Sequence, residues 1–251
     1  MPSSTIVRHN NRILTFNEDQ HSYADDTGKS YTSVTRLIGM GFEKFDAVNI
    51  AKRKAEREGL NWQDLVIEWE KAGEKAANAG TRLHQNCEYQ ILGQEDRMNE
   101  PLDVQERINF NLAYEEVKRI KNDKYVIKLE PEKIIFSPSL NLAGSVDLLA
   151  SYESGDYIIY DWKNIKGISA VSFNGKCGIL DATSRIPDSN YWHYALQLQI
   201  YEIILKVEGY IPNKSNVRRI LNCFINGRLE KVELPDVKTA AKELIKWLNR
   251  R

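Results

Sequence analysis

Two apolar segments joined by a short glycine-containing loop constrain the fold of this chain more than any other feature. Residues 144–150 and 157–163 are rich in leucine, isoleucine, valine, alanine and aromatic residues. Between them, residues 153–155 read Glu-Ser-Gly. This pattern predicts a β-hairpin with a three-residue loop, in which the glycine takes the left-handed backbone position. The hairpin would provide two neighbouring strands of a larger sheet.

A hairpin centred on Ser154 places Asp147 opposite Asp161. Two carboxylates that face each other on apolar strands repel unless a cation lies between them. Side chains alternate along a strand, so Lys163 lies on the same face as Asp161. Apolar residues on both faces predict central strands, where unpaired charge is costly, and this disfavours the alternative of solvated strand ends. The sequence therefore predicts an acidic site beside an amine, with a divalent metal as its natural occupant.

The composition is that of an ordinary globular protein, with 42% hydrophobic and 28% charged residues. Lys plus Arg equals Asp plus Glu at 35 each, so net charge favours no polyanionic partner, although a local basic groove would bind one. We expect no signal peptide and no membrane partner, because no basic segment followed by an apolar one begins the chain and no segment approaches a membrane span. Three scattered cysteines fit a cytoplasmic protein and are too few for an iron–sulfur cluster with four thiolates.

Hydrophobic periodicity predicts an α/β protein with a mixed central β-sheet flanked by helices. Before the hairpin we expect short N-terminal strands, helices at about 35–40, 45–58, 61–78, 79–93 and 102–122, and a strand over 125–136. After it we expect an irregular connection over 164–189, a helix at about 190–208, strands at 217–226 and 229–234, and a helix from Asp236. Residues 1–78 are predicted to be strands and a helical extension packed on a core of residues 79–251, together one compact domain.

Two pairs of polar residues have the four-residue spacing that places both members on one helix face. His84 and Glu88 form the first pair, and Gln197 and Tyr201 form the second. Taken alone, each pair is more typical of a surface or core contact than of a site. In combination with the hairpin, His84 and Glu88 could both bind one metal ion. Gln197 and Tyr201 would present an amide and a phenol side by side on their helix face.

Basic and aromatic residues occur in two further groups. Lys52, Arg53 and Arg57 cluster on a predicted helix, and Tyr191 and Trp192 precede Gln197. A basic run is usually a solvated helix face, and such aromatic residues usually belong to the core. The functional interpretation is phosphate contact for the basic residues and base stacking for the aromatic ones. Both interpretations of the basic helix stay open.

In this order and spacing, the motifs resemble the PD-(D/E)XK nuclease superfamily, specifically its RecB-like and phage-type exonuclease branch. The matching segments run from Gly80 to His84, Gly144 to Asp147, Asp161 to Lys163, and Gln197 to Tyr201. Residues 30–43 give a softer match to the lead-in of such proteins. Val146 stands where the motif nominally has proline, and the cysteine cluster of the iron–sulfur subgroup is missing. The resemblance implies a restriction-endonuclease-like core with an N-terminal helical extension.

The resemblance also implies metal-dependent hydrolysis of DNA, most simply by an exonuclease of recombination, repair or phage DNA metabolism in a bacterial or phage-infected cell. One or two Mg²⁺ or Mn²⁺ ions would be held by His84, Asp147, Asp161, the carbonyl of Trp162, and Glu88 at closer or longer range. Lys163 would orient the attacking water, and Gln197 and Tyr201 would position the scissile phosphate. The residues expected to contact DNA are Lys52, Arg53, Arg57, Tyr191 and Trp192. Glu130 could approach the sheet edge that carries the metal ligands and is a further candidate there.

Three alternatives stay open at this point. The first is an endonuclease directed by DNA structure or sequence. The second is a non-catalytic nucleic-acid-binding module, which is disfavoured because every motif residue is present. The third is an adaptor protein whose aspartate pair is incidental. RNA as the substrate, a homo-oligomer and a recombination partner protein are all compatible with the same residues.

Overall fold

The computed structural model describes residues 4–18 and 20–251, so residues 1–3 and 19 of the predicted N-terminal unit lie outside the described residues. The strands are β1 Ser4–His9, β2 Arg12–Asn17, β3 Ser22–Asp25, β4 Ser30–Ser33, β5 Val126–Ser137, β6 Leu142–Tyr152, β7 Tyr157–Asn164, β8 Val217–Ile225 and β9 Arg228–Glu233. The helices are α1 Val34–Met40, α2 Ala47–Glu58, α3 Trp62–Leu92, α4 Val104–Lys121, α5 Asn190–Val207 and α6 Lys238–Leu248.

The strands form one mixed sheet in the order β1-β2-β3-β4-β6-β7-β8-β9, with β5 on the other edge of β6. Strands β5, β6 and β7 are antiparallel neighbours, and α5 then connects β7 to the parallel strand β8. Helices α1, α5 and α6 bury their apolar residues on one face of the sheet. Helices α3 and α4 cover the other face. The predicted α/β architecture, a mixed central sheet flanked by helices, is confirmed.

The hairpin between β6 and β7 has the register that the sequence predicts. Leu148 pairs with Tyr160, and the ladder continues from there to the loop centred on Ser154. Gly155 adopts a φ of 83°, and its N–H donates to the carbonyl of Tyr152 at 2.9 Å. Glycine is favoured here because its missing Cβ removes the steric cost of the left-handed region.

Helix α3 is a single helix of 31 residues, where the sequence predicts two helices over 61–78 and 79–93. Asn61 caps its beginning, and Gly93 ends it in the left-handed conformation. Gly80 lies inside the helix without breaking it, since an interior glycine costs only about 1 kcal/mol relative to alanine. The predicted boundary between residues 78 and 79 therefore falls within α3. Neither α3 nor any other described helix is both long enough and apolar enough to cross a membrane.

The first four strands form an antiparallel meander that includes β1, a strand the sequence analysis missed. Asp25 holds the turn between β3 and β4, where it accepts hydrogen bonds from the hydroxyls of Thr27 at 2.6 Å and Tyr31 at 2.7 Å. Burial alone would raise the pKa of Asp25, but these hydrogen bonds outweigh it and hold the pKa well below its usual range. Asp25 thus fixes the start of β4.

Strand β4 joins the meander to the core at an unusual place. It runs parallel to β6 and pairs with residues 142–143, whereas β7 pairs with residues 148–151 of the same strand. Since β5 fills the other edge of β6 along its length, β4 and β7 share one edge. No described strand pairs with residues 144–147 at that edge. We call this interval of β6, between β4 and β7, the fork.

Candidate functional site

Asp147 stands at the point where β6 and β7 separate. The β6–β7 ladder runs from the hairpin loop to the pair Leu148 and Tyr160 and ends there, one residue short of Asp147. One oxygen of Asp147 accepts the N–H of Trp162 at 2.8 Å, so a side chain takes the place of a backbone partner. The side chain of Asp147 is only 10% exposed. The strands thus diverge where the sequence predicts two facing aspartates.

His84 on α3 is oriented by the backbone of β7. Its Nε2 lies 2.7 Å from the carbonyl oxygen of Trp162. A carbonyl oxygen can only accept, so Nε2 carries the proton and Nδ1 faces the site. Nδ1 lies 3.4 Å from Asp147 and 3.7 Å from Glu132. The Trp162 carbonyl, predicted as a metal ligand, here holds the imidazole in place.

Glu132 completes a cluster that sequence analysis did not find. One ligand atom each of His84, Glu132 and Asp147 lies within 4.8 Å of the others. Glu132 has a φ of 42°, a left-handed conformation that is uncommon for residues other than glycine and concentrates at functional sites. Its other oxygen accepts a hydrogen bond from the hydroxyl of Ser145 at 3.1 Å. The backbone of β5 therefore turns Glu132 toward the fork.

Asp161 is only 1% exposed and lies outside that three-residue cluster. Lys163 Nζ is 2.7 Å from Asp161 Oδ2, and the two side chains form a buried ion pair. Among the described residues, the other oxygen of Asp161, Oδ1, has no hydrogen-bond partner. Burial, opposed by Lys163 and reinforced by the charge of Asp147, raises the pKa of Asp161 to about 6. A buried carboxylate oxygen without a donor is costly unless a cation binds it.

Lys163 remains a cation in this environment. Burial lowers its pKa, but the carboxylates of Asp161 and Asp147 outweigh burial and raise the pKa above its ordinary value. The ring of Tyr194 on α5 lies 5.1 Å from Nζ and gives a cation–π contact. Lys163 can therefore stabilise negative charge, but it is not a free base at neutral pH.

Gln197 and Tyr201 share a face of α5, as their spacing predicts, and Gln197 Nε2 donates to the Tyr201 hydroxyl at 3.1 Å. Tyr201 is 3% exposed and lies against the backbone of Gly144 in the fork. A Cβ at position 144 would be 2.6 Å from Cε1 of the Tyr201 ring. The glycine of the Gly-x-x-Asp motif is thus required by the close approach of this ring.

We expect Gly144→Ala to destabilise the protein by about 1–3 kcal/mol, because overpacking forces the buried Tyr201 ring to move. The measurement is urea denaturation monitored by circular dichroism. Gly73→Ala is the matched control: Gly73 lies in α3, and a Cβ there meets nothing within 4 Å. That control should gain about 0.5–1 kcal/mol from helix propensity. Equal stability changes in the two variants would contradict the proposed contact.

Glu88 and Glu130 lie near the cluster without joining it. Glu88 lines a cleft of about 610 Å³ together with His84 and Glu132, and burial raises its pKa. Glu130 forms ion pairs with two lysines, Lys128 at 3.0 Å and Lys133 at 2.6 Å. These two ion pairs neutralise the carboxylate of Glu130 outside the cluster of His84, Glu132 and Asp147.

The predicted basic cluster lies on the outside of α2. This helix packs against α3 through Ala51 and Ala55, which leaves its basic residues exposed. Lys52 lies 5.0 Å from the ring of Trp62, and Arg57 pairs with Glu58 at 2.8 Å. The helix therefore packs on α3, and the basic side chains remain available to a ligand.

Tyr191 and Trp192, predicted to stack on bases, are half-buried at the start of α5. The indole N–H of Trp192 donates to the carbonyl of Ala170 at 2.9 Å. Trp192 thus anchors the connection over 165–189 to the helix.

The charge of His84 gives the metal-free protein a pH dependence. Burial lowers the pKa of His84, but the carboxylates of Asp147 and Glu132 outweigh it and raise the pKa to about 9. A group with a raised pKa stabilises the fold fully below its unfolded pKa of about 6.5 and loses that contribution as the pH passes its folded pKa. We expect the chelator-treated protein to lose up to about 3 kcal/mol between pH 6.5 and 9.5 through this group.

Thermal melting in EDTA at both pH values measures this effect. The matched variant is His84→Gln, which retains a polar side chain without titrating in this range. Its melting temperature should fall less than that of the unchanged protein. Parallel falls in the two proteins would exclude His84 as the cause.

The donor set fits a divalent cation. The cluster of His84, Glu132 and Asp147 supplies carboxylate oxygens and one imidazole nitrogen, and Asp161 adds a buried carboxylate whose Oδ1 has no hydrogen-bond partner among the described residues. Carboxylate oxygens suit Mg²⁺ and Mn²⁺, and a neutral imidazole is better tolerated by Mn²⁺. The predicted cofactor class, a divalent metal, is therefore compatible with the residues that the fold brings together.

No protein-family model and no curated protein matches this sequence. Two of the solved structures that it is similar to are the following. A candidate exonuclease from Eubacterium rectale has 14% identity and a TM-score of 0.42, with 68% of this chain and 65% of that protein covered. A protein named SSO0001 has 15% identity and a TM-score of 0.32, with 87% of this chain and 76% of that protein covered. This chain thus spans less than two thirds of the first protein's length.

Proposed function

We propose that this chain is a metal-dependent nuclease that hydrolyses DNA phosphodiester bonds, and that it belongs to the RecB-like, phage-type exonuclease branch of the PD-(D/E)XK superfamily. The observation that carries the proposal is the meeting of His84, Glu132 and Asp147 at the fork, beside a buried Asp161 and a charged Lys163. Acidic ligands beside a fixed cation are suited to an anionic phosphate and its hydrolysis.

The ligands would be Nδ1 of His84 and the carboxylates of Glu132, Asp147 and Asp161. When bound, Mg²⁺ or Mn²⁺ lowers the pKa of a water molecule and stabilises charge on the leaving oxygen. The Trp162 carbonyl keeps the imidazole oriented, an arrangement that typically strengthens metal binding. Glu88 stands one helical turn from His84 and could bind through water.

The remaining site residues would act on the phosphate. Lys163 would offset negative charge as it develops on the phosphoryl oxygens. Gln197 has one N–H bonded to Tyr201 and keeps a second N–H for a phosphate oxygen. Tyr201 is buried, so it would position Gln197 and support the fork backbone at Gly144. Lys52, Arg53 and Arg57 would contact phosphates further along the DNA.

The protein would act on DNA in the cytoplasm of a bacterial or phage-infected cell, in recombination, repair or phage DNA metabolism. Residues 79–251 would carry the chemistry, and the N-terminal strands and helices would support it. A homo-oligomer or a recombination partner protein would be compatible with this role. An endonuclease is the second candidate, because the same residues would cut an internal bond equally well.

Digestion of end-labelled linear and closed circular DNA, in Mg²⁺, Mn²⁺ and EDTA, tests the function. We expect metal-dependent release of nucleotides from linear single- or double-stranded DNA and an intact circle. Cleavage of the circle would assign an endonuclease. An RNA substrate in the same assay determines whether the activity is confined to DNA. Activity of the purified protein that persists unchanged in Asp147→Asn would overturn the assignment of the site.

A further inference from the structure

A second cavity, of about 910 Å³, lies between α2 and the connection over 165–189. Phe45 and Phe173 line it and are 73% and 80% exposed. Each leaves a large apolar ring in water, where covering it would be favourable. We call this cavity the aromatic groove, defined by Lys44, Phe45, Asn49, Lys52, Arg53 and Phe173.

The groove carries a small excess of positive charge. Four cations line it, Lys44, Lys52, Arg53 and Lys176, against the three carboxylates of Glu43, Asp46 and Asp188. Glu43 pairs with Lys176, and Asp46 caps α2 beside Lys52 and Arg53. A groove with exposed aromatic rings and an excess of cations is complementary to an anionic polymer that has aromatic units.

The two walls of the groove are held together. The connection that carries Phe173 is fixed by Thr183, whose hydroxyl donates to the carbonyl of Gly41 at 2.7 Å. The N–H of Ile179 donates to the same carbonyl at 2.8 Å. Gly41 directly follows α1 and lies four residues before Phe45. The groove is therefore a built feature, with both phenylalanines on anchored segments.

The groove also adjoins the proposed active site. His193 lines the groove, and the next residue of α5 is Tyr194, whose ring contacts Lys163. Successive residues of a helix point about 100° apart, so the groove and the site amine lie on neighbouring faces of the same helical turn. A strand that leaves the site along the start of α5 would enter the groove.

We propose that the aromatic groove binds an unpaired strand of the nucleic acid, with bases stacked on Phe45 and Phe173 and phosphates on Lys44, Lys52 and Arg53. The inference rests on the proposed function and adds the strand state of the substrate. A base can stack on a phenylalanine ring only when its own face is not covered by a neighbouring base. The bases of a single strand can expose their faces in this way, whereas the bases of a blunt duplex stay stacked on one another. The groove would thus discriminate single-stranded from double-stranded ends.

The test measures binding in EDTA, where no metal-dependent cleavage occurs. Fluorescence anisotropy would follow a labelled single-stranded oligonucleotide and a blunt duplex of the same length. We expect Phe45→Ala and Phe173→Ala each to weaken single-strand binding at least about fivefold. Duplex binding should change less than twofold. The conservative variant Phe45→Trp should retain single-strand affinity, and the control Tyr125→Ala removes an aromatic ring that is 54% exposed at the start of β5, outside the groove.

Unchanged single-strand affinity in both alanine variants would overturn the inference, and so would an equal loss for both oligonucleotides. Thermal melting of each variant confirms that a loss of binding is not a loss of folding. The proposed nuclease function has a separate readout, the metal-dependent digestion described above. A protein that digests DNA while its phenylalanine variants bind normally would refute only the groove, and one that binds through the phenylalanines without digesting DNA would refute only the nuclease.

Discussion

Glu132→Gln is expected to reduce metal-dependent DNA cleavage, and metal affinity with it, by a factor on the order of 100 or more. Loss of an outer-shell partner of a ligand alone costs 10–100-fold, and Glu132 is placed to be a ligand itself. The substitution keeps the size and hydrogen-bonding capacity of the side chain but removes its charge. Calorimetric titration with Mn²⁺ and digestion of labelled linear DNA measure the two effects.

Glu130→Gln is the matched control for this experiment. It makes the same chemical change two residues earlier on β5, where the carboxylate is paired with Lys128 and Lys133. We expect normal metal affinity and normal cleavage. Should the two variants behave alike, the cluster at the fork would not be the metal site, whatever their common level of activity.

Lys163→Ala is expected to lower cleavage by about 10²–10³-fold, the usual cost of removing one preorganised electrostatic contact. Metal binding and DNA binding should remain, because the carboxylates and the exposed basic residues are unchanged. Without its ion-pair partner, the buried Asp161 should take up a proton more readily in the absence of metal. Single-turnover cleavage, oligonucleotide binding and thermal melting in Mg²⁺ separate these effects.

Lys166→Ala removes an exposed lysine three residues further along the chain and should leave cleavage unchanged. Cleavage by Lys163→Ala at the rate of that control would remove Lys163 from the mechanism. A collapse of folding in Mg²⁺ would show instead that its role is structural. Lys163→Arg, which keeps the charge, should then restore the melting temperature.

The local features of the fold follow directly from the sequence. The hairpin register depends on a loop of three residues and on alternation, both of which are local, and it is confirmed at Leu148 and Tyr160. Helix α5 is similarly evident from its periodicity. The sequence predicts two helices over 61–78 and 79–93, whereas α3 is one continuous helix. Its continuity depends on packing along both halves, including Leu65 and Leu83, which no short window reveals.

The features that depend on contacts between distant parts of the chain could not be predicted from local sequence. Glu132 follows a proline and adopts a positive φ, and neither its conformation nor the register of β5 against β6 is set by local residues. The sequence therefore indicated Glu130 as the candidate on this strand, whereas the residue that joins the cluster is Glu132, two positions later. The ladder has the predicted register as far as Leu148 and Tyr160, but the strands separate before Asp147 and Asp161 could pair. Their repulsion is relieved by divergence, the Trp162 amide and Lys163, rather than by an ion alone.

The shared edge of β6 sets an order of events for a newly made chain. Strand β4 leaves the ribosome long before its partner at Leu142, and long-range pairing of this kind is slow because the intervening chain must first be ordered. The acidic centre needs α3, β5, β6, β7 and α5 together. In a nascent polypeptide it would therefore assemble only after α5, the last of these elements, had been synthesised.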